Sequence, residues 1–533
     1  MRKMLFLLVA VLAGLSAAAQ GTVQAYVEQI AREEPLRSAV FGVLAVSARG
    51  DTLASHNRLG KMVPASNMKL ITTGAALHRL GAGFRFETAL GYDGSIDSTG
   101  CLHGNLYIIG GGDPTLGAED TIAIPTDTLF ARWKALLSSA GIQTIDGYVI
   151  GDGRRFSGNL ENTDWNIDDA GTYYGTGGDG LCFHENNLDF SIEPGDSIGA
   201  PARIIALSRY DTPWLRIRNH TTTGEKNSGN SVLFFTTDLA PAAEWRGSFP
   251  IGRKRSLTSV SNKYGAMTAA HAFCCYLDEA GVTVIDGPAD IGRDGMIRGL
   301  EALSEVWMDG FGDMAGDYGA AETAGGSFGA PGSLSAVPQD SLVRIGSTQS
   351  PALSDIARET NLRSDNFYAE TLLRTLGAEI RGAADYDNAV AAEKTVLSKM
   401  GLTLGNAVRI SDGSGLARNN YVSPDFLVRY LRVVWKSGIR GSFLGTLPYP
   451  GGRGTLEHMM QKEDKALKKR IRLKSGSMNG VLCYSGYILP SDGSTAAGAN
   501  VIFVSIMTNN ASVGAAKVRP LLEGILVRLA AEN

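Results

Sequence analysis

The order of apolar and polar positions changes character twice along the chain. "VQAYVEQIAREEPLR" repeats apolar residues at helical spacing, and "AVFGVLAVSARGDTLASHN" alternates, turns at Arg49–Gly50–Asp51 and extends again as a hairpin. "PASNMKLITTGAALHRL" follows. Pro64 suits the first turn of a helix that runs to about Leu80, and Gly81 ends it. From about 85 to 340 glycine, aspartate and threonine are frequent, and strand-like pieces dominate: "RFETALGY", "HGNLYIIGGGDPTL", "NLDFSIEPG", "PWLRIRNH" and "SVLFFTTD". Two helical stretches, "PTDTLFARWKALLSSAG" and "HAFCCYLDEAG", interrupt them, and residues 309–335 are rich in Gly, Ala and Ser, which reads as a surface loop. From about 350 the helical period returns in "PALSDIARETNL", "DNFYAETLLRTLG" and "DYDNAVAAEKTVLSKMG". Three strands, "KRIRLKSGSMNG", "VLCYSGYILPSDG" and "NVIFVSIMTNN", close the chain before a last helix.

A strand pair therefore opens the chain and three strands close it, with helices between. The pattern implies an α+β fold in which all five strands join one antiparallel sheet with helices on both faces, the middle block being an insertion. In the last segment Leu521, Leu522, Ile525 and Leu529 fall at helical spacing, which reads as a packed helix rather than a membrane anchor.

Composition narrows the setting. The 533 residues suggest roughly three domains at ~150 residues each. A net charge of −4 gives no reason to expect nucleic acid or an anionic membrane surface as a partner. "MRK", the apolar "MLFLLVAVLAGL" and the small residues "SAAAQ" form a signal peptide at 1–19, with cleavage best placed after Ala19. This predicts a periplasmic or secreted protein with no integral membrane segment in the mature chain. Five scattered cysteines, Cys101, Cys182, Cys274, Cys275 and Cys483, include no C-x-x-C pair, so neither a disulfide framework nor a zinc site is expected. Seven histidines contain no H-E-x-x-H, and no metal or other cofactor is expected.

Three short stretches carry candidate chemistry. Ser66 and Lys69 stand three apart on the first predicted helix and share a face. Serine is a poor nucleophile without an adjacent base, and a buried lysine, its pKa pushed down, can be that base. The bland alternative is a capping serine and a lysine that snorkels to solvent. Ser364, Asp365 and Asn366 lie between two helical patterns, where a turn with a helix cap is the alternative. Lys474, Ser475 and Gly476 sit in a late strand. A glycine there implies that something approaches the backbone closely; an edge strand guarded by lysine is the alternative. "GGSFG" at 325–329 fits the G-x-S-x-G nucleophile elbow, but no strand precedes it and no helix follows, so it is set aside.

In that order, Ser-x-x-Lys on a helix, Ser-x-Asn at an interhelical turn and Lys-Ser-Gly on a strand resemble the motif set of penicillin-binding proteins and serine β-lactamases. "GGGDPTL" at 110–116, "RSDNFYAETLLRTLG" at 363–377 and "SDGSGLARNN" at 411–420 are similar to segments of one branch, the class C low-molecular-mass penicillin-binding proteins of the D-alanyl-D-alanine carboxypeptidase/endopeptidase family. The long separation of Ser66 from Ser364 also suits that family, which fills the gap with two nested domains. The resemblance covers essentially the whole mature chain. It implies a serine β-lactamase/DD-peptidase-like domain at 20–84 and 340–533, one mainly β inserted domain at 85–190 and 255–339, and a second nested at 191–254.

It further implies an acyl-enzyme on Ser66, with neutral Lys69 as base and the amides of Ser66 and Ser477 as oxyanion hole. Lys474 would supply positive potential and, with Ser364, a proton for the leaving amine. Asn366 would hold the substrate amide, and Ser475 and Ser477 the terminal carboxylate. Ser475 stands where the family usually has threonine; the hydroxyl is kept. Asp169, in "DWNIDDAGTYYG", best matches an aspartate that meets the amine of the peptide stem, with Asp168 next; a solvated acidic loop is the alternative. Peptidoglycan stem peptides are the implied substrate, cut at D-Ala-D-Ala ends and at D,D-crosslinks, and β-lactams the implied covalent inhibitors. Two rivals are a catalytically weak peptidoglycan-binding protein, which the intact motif set argues against, and a β-lactamase, which the large insertion and the lack of an evident deacylating glutamate argue against.

Overall fold

A computed structural model of the chain describes residues 23–292, 295–300 and 335–532. The expected signal peptide at 1–19, the "GGSFG" stretch and nearly all of the Gly/Ala/Ser-rich segment lie outside these residues. The chain divides into two compact units. One comprises the described chain up to Phe84, then Ala352–Arg381 and Tyr386 onward; the other is Arg85–Pro351 with Gly382–Asp385.

The first unit is built on the anticipated five strands. β1 (Val40–Ser47), β2 (Thr52–His56), β3 (Ile471–Met478), β4 (Val481–Ile488) and β5 (Ile502–Asn509) form one sheet in the order β2-β1-β5-β4-β3, every pair antiparallel. Strand side chains alternate between faces. Phe41, Val43, Leu482, Tyr484, Ile502 and Val504 pack on one face against Val518, Leu522, Ile525 and Leu529 of the last helix, Ala515–Glu532. Leu521, also in the predicted apolar stripe, sits at the edge of this core. On the other face Tyr487 and Phe503 meet Trp435 at centroid distances of 5.2 and 6.3 Å. Trp435 belongs to a helix over Pro424–Lys436, capped by Ser423, whose side chain accepts from the Phe426 amide. Apolar side chains on both faces explain why the strands read as near-continuous hydrophobic runs.

Helix α1 (Met68–Leu80) ends at Gly81 as expected, but its start differs from the prediction. A separate 3-10 turn, Ala65–Asn67, precedes it, so Ser66 is not a helix cap. The Tyr430 hydroxyl donates to Leu70 O at 2.7 Å and fixes the helix against its neighbour.

The second unit holds a mixed six-stranded sheet, in the order Ile297–Gly299, Gly287–Ile291, Tyr148–Asp152, Leu106–Ile109, Glu87–Tyr92 and Val343–Gln349. The anticipated helices Thr126–Ser139 and Gly265–Glu279 bury Phe130, Trp133 and Phe273 in its core. Val343–Gln349 runs antiparallel to Glu87–Tyr92, which carries this unit past residue 339 to Pro351. Two three-stranded sheets enclose a smaller core of Phe190, Phe234, Trp245 and Phe249. One joins Arg203–Ala206 to Asn187–Glu193 and Ser256–Ser261, so sheet pairing extends beyond 191–254 at both ends. The other pairs Arg216–Gly224 in parallel with Ala242–Pro250. All five cysteines are free thiols; Cys182 and Cys483 are buried, the others half-buried.

Candidate active site

The first unit brings the three predicted stretches together. The 3-10 turn leaves Ser66 half-buried, and Lys69, one turn on, is fully buried. That burial removes the snorkelling alternative. Lys69 Nζ lies 3.0 Å from Ser66 Oγ, 2.6 Å from Asn366 Oδ1 and 2.8 Å from Ser414 O, three acceptors for an ammonium's three protons. Across the pocket Lys474 Nζ, also fully buried, donates to Ser364 Oγ at 2.9 Å and to Ser475 O at 2.7 Å.

Two turns hold this arrangement under backbone strain. Ala65, just before Ser66, has φ +46°, and Ser364 has φ +61°, both in a region that costs non-glycine residues of order 1 kcal/mol or more. Ser364 closes a π-helical turn, Thr360–Ser364, that continues the helix Leu353–Glu359. Such turns collect at functional sites. Helix α2 (Asn366–Arg381) starts afresh beyond it, capped by Asp365, whose Oδ1 accepts from the Tyr368 amide at 2.9 Å. The capping alternative is thus real for Asp365 and coexists with the placing of Ser364 and Asn366 beside the two lysines.

Gly476 meets the close approach its position implied. A Cβ there would stand 2.5 Å from Pro64 O and 3.1 Å from Ser66 N, so the edge strand lies directly against the turn that bears Ser66. Leu473 N–H leaves this strand for Pro448 O. By strand alternation the amides of Ser475 and Ser477 share that free edge. Ser477 is exposed, and Ser475 Oγ donates to Thr455 Oγ1 at 2.7 Å. Asp169 belongs to the second unit, on the short helix Ile167–Ala170, where its carboxylate accepts from the Tyr174 hydroxyl and the Asn166 amide, each at 3.2 Å.

The sequence reading missed the floor of the pocket. Ser414 O, a ligand of Lys69, sits in a loop clamped from two sides. Glu370 accepts from the Gly413 and Ser414 amides at 3.2 and 2.7 Å, and Asp412 accepts from the Gly415 and Ala417 amides at 2.8 and 2.6 Å. Gly415, at φ +87°, passes so near the Ser66 turn that a Cβ would fall 1.9 Å from Ala65 O. A signal did exist: Glu370 lies one turn after Asn366 on one helix face, and the loop lies within "SDGSGLARNN".

Electrostatics distinguish the two lysines. Burial pushes Lys69 down to about 8, against the opposing fields of Glu370, Asp365 and Asp412. Lys474 falls much further, through burial and then the Lys69 charge, and no carboxylate pairs with it among the described residues. Burial thus disfavours the charged form of both lysines, and does so more strongly for Lys474. Glu370 is raised by burial and by Asp412.

Outside this pocket, Asp97, Cys101 and His103 hold potential metal-ligating atoms within 4.8 Å of one another, but His103 already bridges Asp97 and Asp146 through its two nitrogens.

A helix-borne serine and lysine, facing a strand-borne lysine at the edge of a helix-covered antiparallel sheet, define the class: a serine peptidase of the β-lactamase-like, DD-peptidase fold. The chain belongs to the D-Ala-D-Ala carboxypeptidase 3 (S13) family, whose model matches residues 23–296 and 324–530. It is 27% identical to a D-alanyl-D-alanine carboxypeptidase of an Actinomadura species, over 88% of this chain and 79% of the relative. It is 24% identical to a D-alanyl-D-alanine carboxypeptidase of Haemophilus influenzae, over 87% of this chain and 83% of the relative. In fold it is similar to the crystal structure of penicillin-binding protein 4 of H. influenzae, with a TM-score of 0.70, 21% identity, and coverage of 93% of this chain and 96% of that one.

Proposed function

We propose that the chain removes the terminal D-alanine from peptidoglycan stem peptides through an acyl-enzyme on Ser66. The observation that carries this reading is the contact of Ser66 Oγ with a buried lysine amine at 3.0 Å, opposite a second buried lysine with no carboxylate partner among the described residues. Family membership supports it.

Burial lowers Lys69 to about 8, so a minor fraction of it is deprotonated near neutral pH. In that fraction its lone pair accepts the Ser66 hydroxyl proton as Oγ attacks the carbonyl between the two D-alanines. Negative charge develops on the carbonyl oxygen at the junction of the Ser66 turn and the Gly476 strand, where the Ser66 and Ser477 amides serve as donors. The substrate's terminal carboxylate binds by Ser475 and Ser477 and supplies the counter-charge that Lys474 lacks. That charge favours the Lys474 ammonium, which takes its proton from solvent as substrate binds; Ser364 Oγ–H then protonates the leaving amine and is reprotonated from Lys474. D-Alanine leaves, and water hydrolyses the ester. β-Lactams acylate Ser66 in the same way.

Asp169 is proposed as a contact for the amine of the peptide stem. The division into a catalytic unit and two inserted domains is likewise a proposal; the separate cores of the second unit support it, with the nested domain running from about 187 to 261. The leader at 1–19 and the substrate together support an extracytoplasmic location.

Intact-protein mass spectrometry after exposure to penicillin tests the reading. One penicilloyl adduct is expected in the wild type and none in Ser66→Ala. An adduct that persists in the variant, or a wild type that never acylates, overturns it. Incubation with muropeptide monomers should release free D-alanine; intact monomers would overturn the assigned reaction.

A further inference from the structure

The inserted unit contains a groove of about 790 Å³ between the segment 159–170 and the sheet formed by Arg216–Gly224, Ala242–Pro250 and Leu233–Thr236. Its size suits a small peptide or ligand. Arg216 and Arg218 are two apart on one strand, so both face the groove, about 7 Å apart. Register places Ala242 and Glu244 beside them, and Phe235 beside Glu244.

The charges of this groove are unequally satisfied. Three carboxylates line it, and each is engaged. Glu244 is gripped by both arms of Arg246 at 2.9 Å and by His220 Nδ1 at 2.5 Å. Asp238 accepts from the Leu160 amide at 2.9 Å, and Glu161 lies 3.2 Å from Lys263 Nζ. Arg216 and Arg218 have no ion pair and no side-chain hydrogen bond among the described residues. Two guanidinium groups thus face the cavity without an ion-pair partner among the described residues, beside Glu244 and Glu161, which already pair with cations. Apolar side chains complete it: Ile167 and Leu239 are each 80% exposed at its rim, and the Phe235 ring is half-buried in its wall.

We propose that this groove is a second binding site, for the carboxylate-bearing stem peptide of peptidoglycan. Arg216 and Arg218 pair with stem carboxylates, each guanidinium offering a planar fork that fits a carboxylate with two parallel hydrogen bonds. Ile167, Leu239 and Phe235 cover the methyl groups of the alanine residues. The inference rests on the reading of the chain as a peptidoglycan hydrolase, but it concerns anchoring of the polymer and not cleavage.

The test uses the whole mature protein and a disaccharide-tripeptide muropeptide, which lacks the D-Ala-D-Ala end and is not turned over. Titration calorimetry should show binding that weakens at least tenfold in the double variant R216Q/R218Q, and that weakens similarly when the carboxylates of the muropeptide are amidated. Penicillin acylation and the melting temperature should match the wild type, which shows the variant is folded, while digestion of isolated sacculi falls several-fold. Equal affinity of variant and wild type, absence of binding to the wild type, or binding indifferent to amidation overturns the proposal. Inorganic phosphate is run in parallel; retention of phosphate without the muropeptide marks a general anion site and also overturns it. Failure of the peptidase reading would appear separately, as loss of penicillin acylation with muropeptide binding intact.

Discussion

In the proposed mechanism Lys69 must lose a proton before it can take one from Ser66. With burial lowering it to about 8, Lys69 gains a lone pair as the pH rises through that region. The acylation rate constant should therefore rise close to tenfold per pH unit well below 8 and level off above it. Stopped-flow measurement with a chromogenic β-lactam across pH 5.5–9.5 checks this; a flat profile would remove Lys69 as the base. Glu370 touches neither reacting atom, yet it clamps the peptide that offers Ser414 O to Lys69, and its field raises the lysine's pKa. Glu370→Gln keeps the shape but cannot accept both amides equally well. Acylation should slow at least tenfold, and its pH limb should shift downward, a change that a purely structural role would not produce. Sequence reading singled out Ser66, Lys69, Ser364, Asn366 and Lys474 because their spacing and order are distinctive, and the structure hydrogen-bonds Lys69 to Ser66 and Asn366, and Lys474 to Ser364. Glu370 escaped it because a buried carboxylate in a helix resembles any other helical glutamate until its partners, from a distant loop, are known.

The elements matter here through how closely they approach. Gly476 lets the edge strand lie against the Ser66 turn, and a methyl group would collide with Pro64 O at 2.5 Å. Gly476→Ala should reduce penicillin acylation by two orders of magnitude or more, as expected when reacting groups are displaced by about 1 Å, while circular dichroism shows the fold retained. The helix Leu353–Glu359 is tied to the loop before the strand by a bidentate pair, Arg453 to Glu359 at 2.8 and 2.7 Å, with Glu359 almost wholly buried. Arg453→Met leaves that carboxylate without its partner and should destabilise the protein by about 2 kcal/mol, read from urea unfolding. Helix existence was legible along most of this unit from apolar periodicity. The turns were not: the positive φ at Ala65 and Ser364 goes against local preference and is imposed by packing, as where Gly415 presses on Ala65.

On the scale of the molecule, the insertion leaves the catalytic sheet between β2 and β3 and returns the chain to it, so residues far apart in sequence share one pocket. The second unit owns its cores, around Phe130, Trp133 and Phe273 and around Phe190, Trp245 and Phe249. Expressed alone, residues 85–351 should unfold in a cooperative thermal transition; a featureless melt would show that its cores need the rest of the chain. The change of texture at 85 marked the start of this unit. Its end was set too early, because Val343–Gln349 has no local feature that assigns it to one sheet rather than the other, and only pairing with Glu87–Tyr92 decides.

The sequence by itself determined most element types, the five-strand frame with its helical covers, and the candidate residues proposed for the reaction centre, since periodicity and motif spacing are local properties of a chain. The tertiary structure alone decided how deeply the two lysines are buried, which carboxylates lie near Lys69, and that two arginines of the insertion face a groove without an ion-pair partner among the described residues. Those outcomes depend on burial and on distances between segments hundreds of residues apart, and electrostatic energy is a function of both.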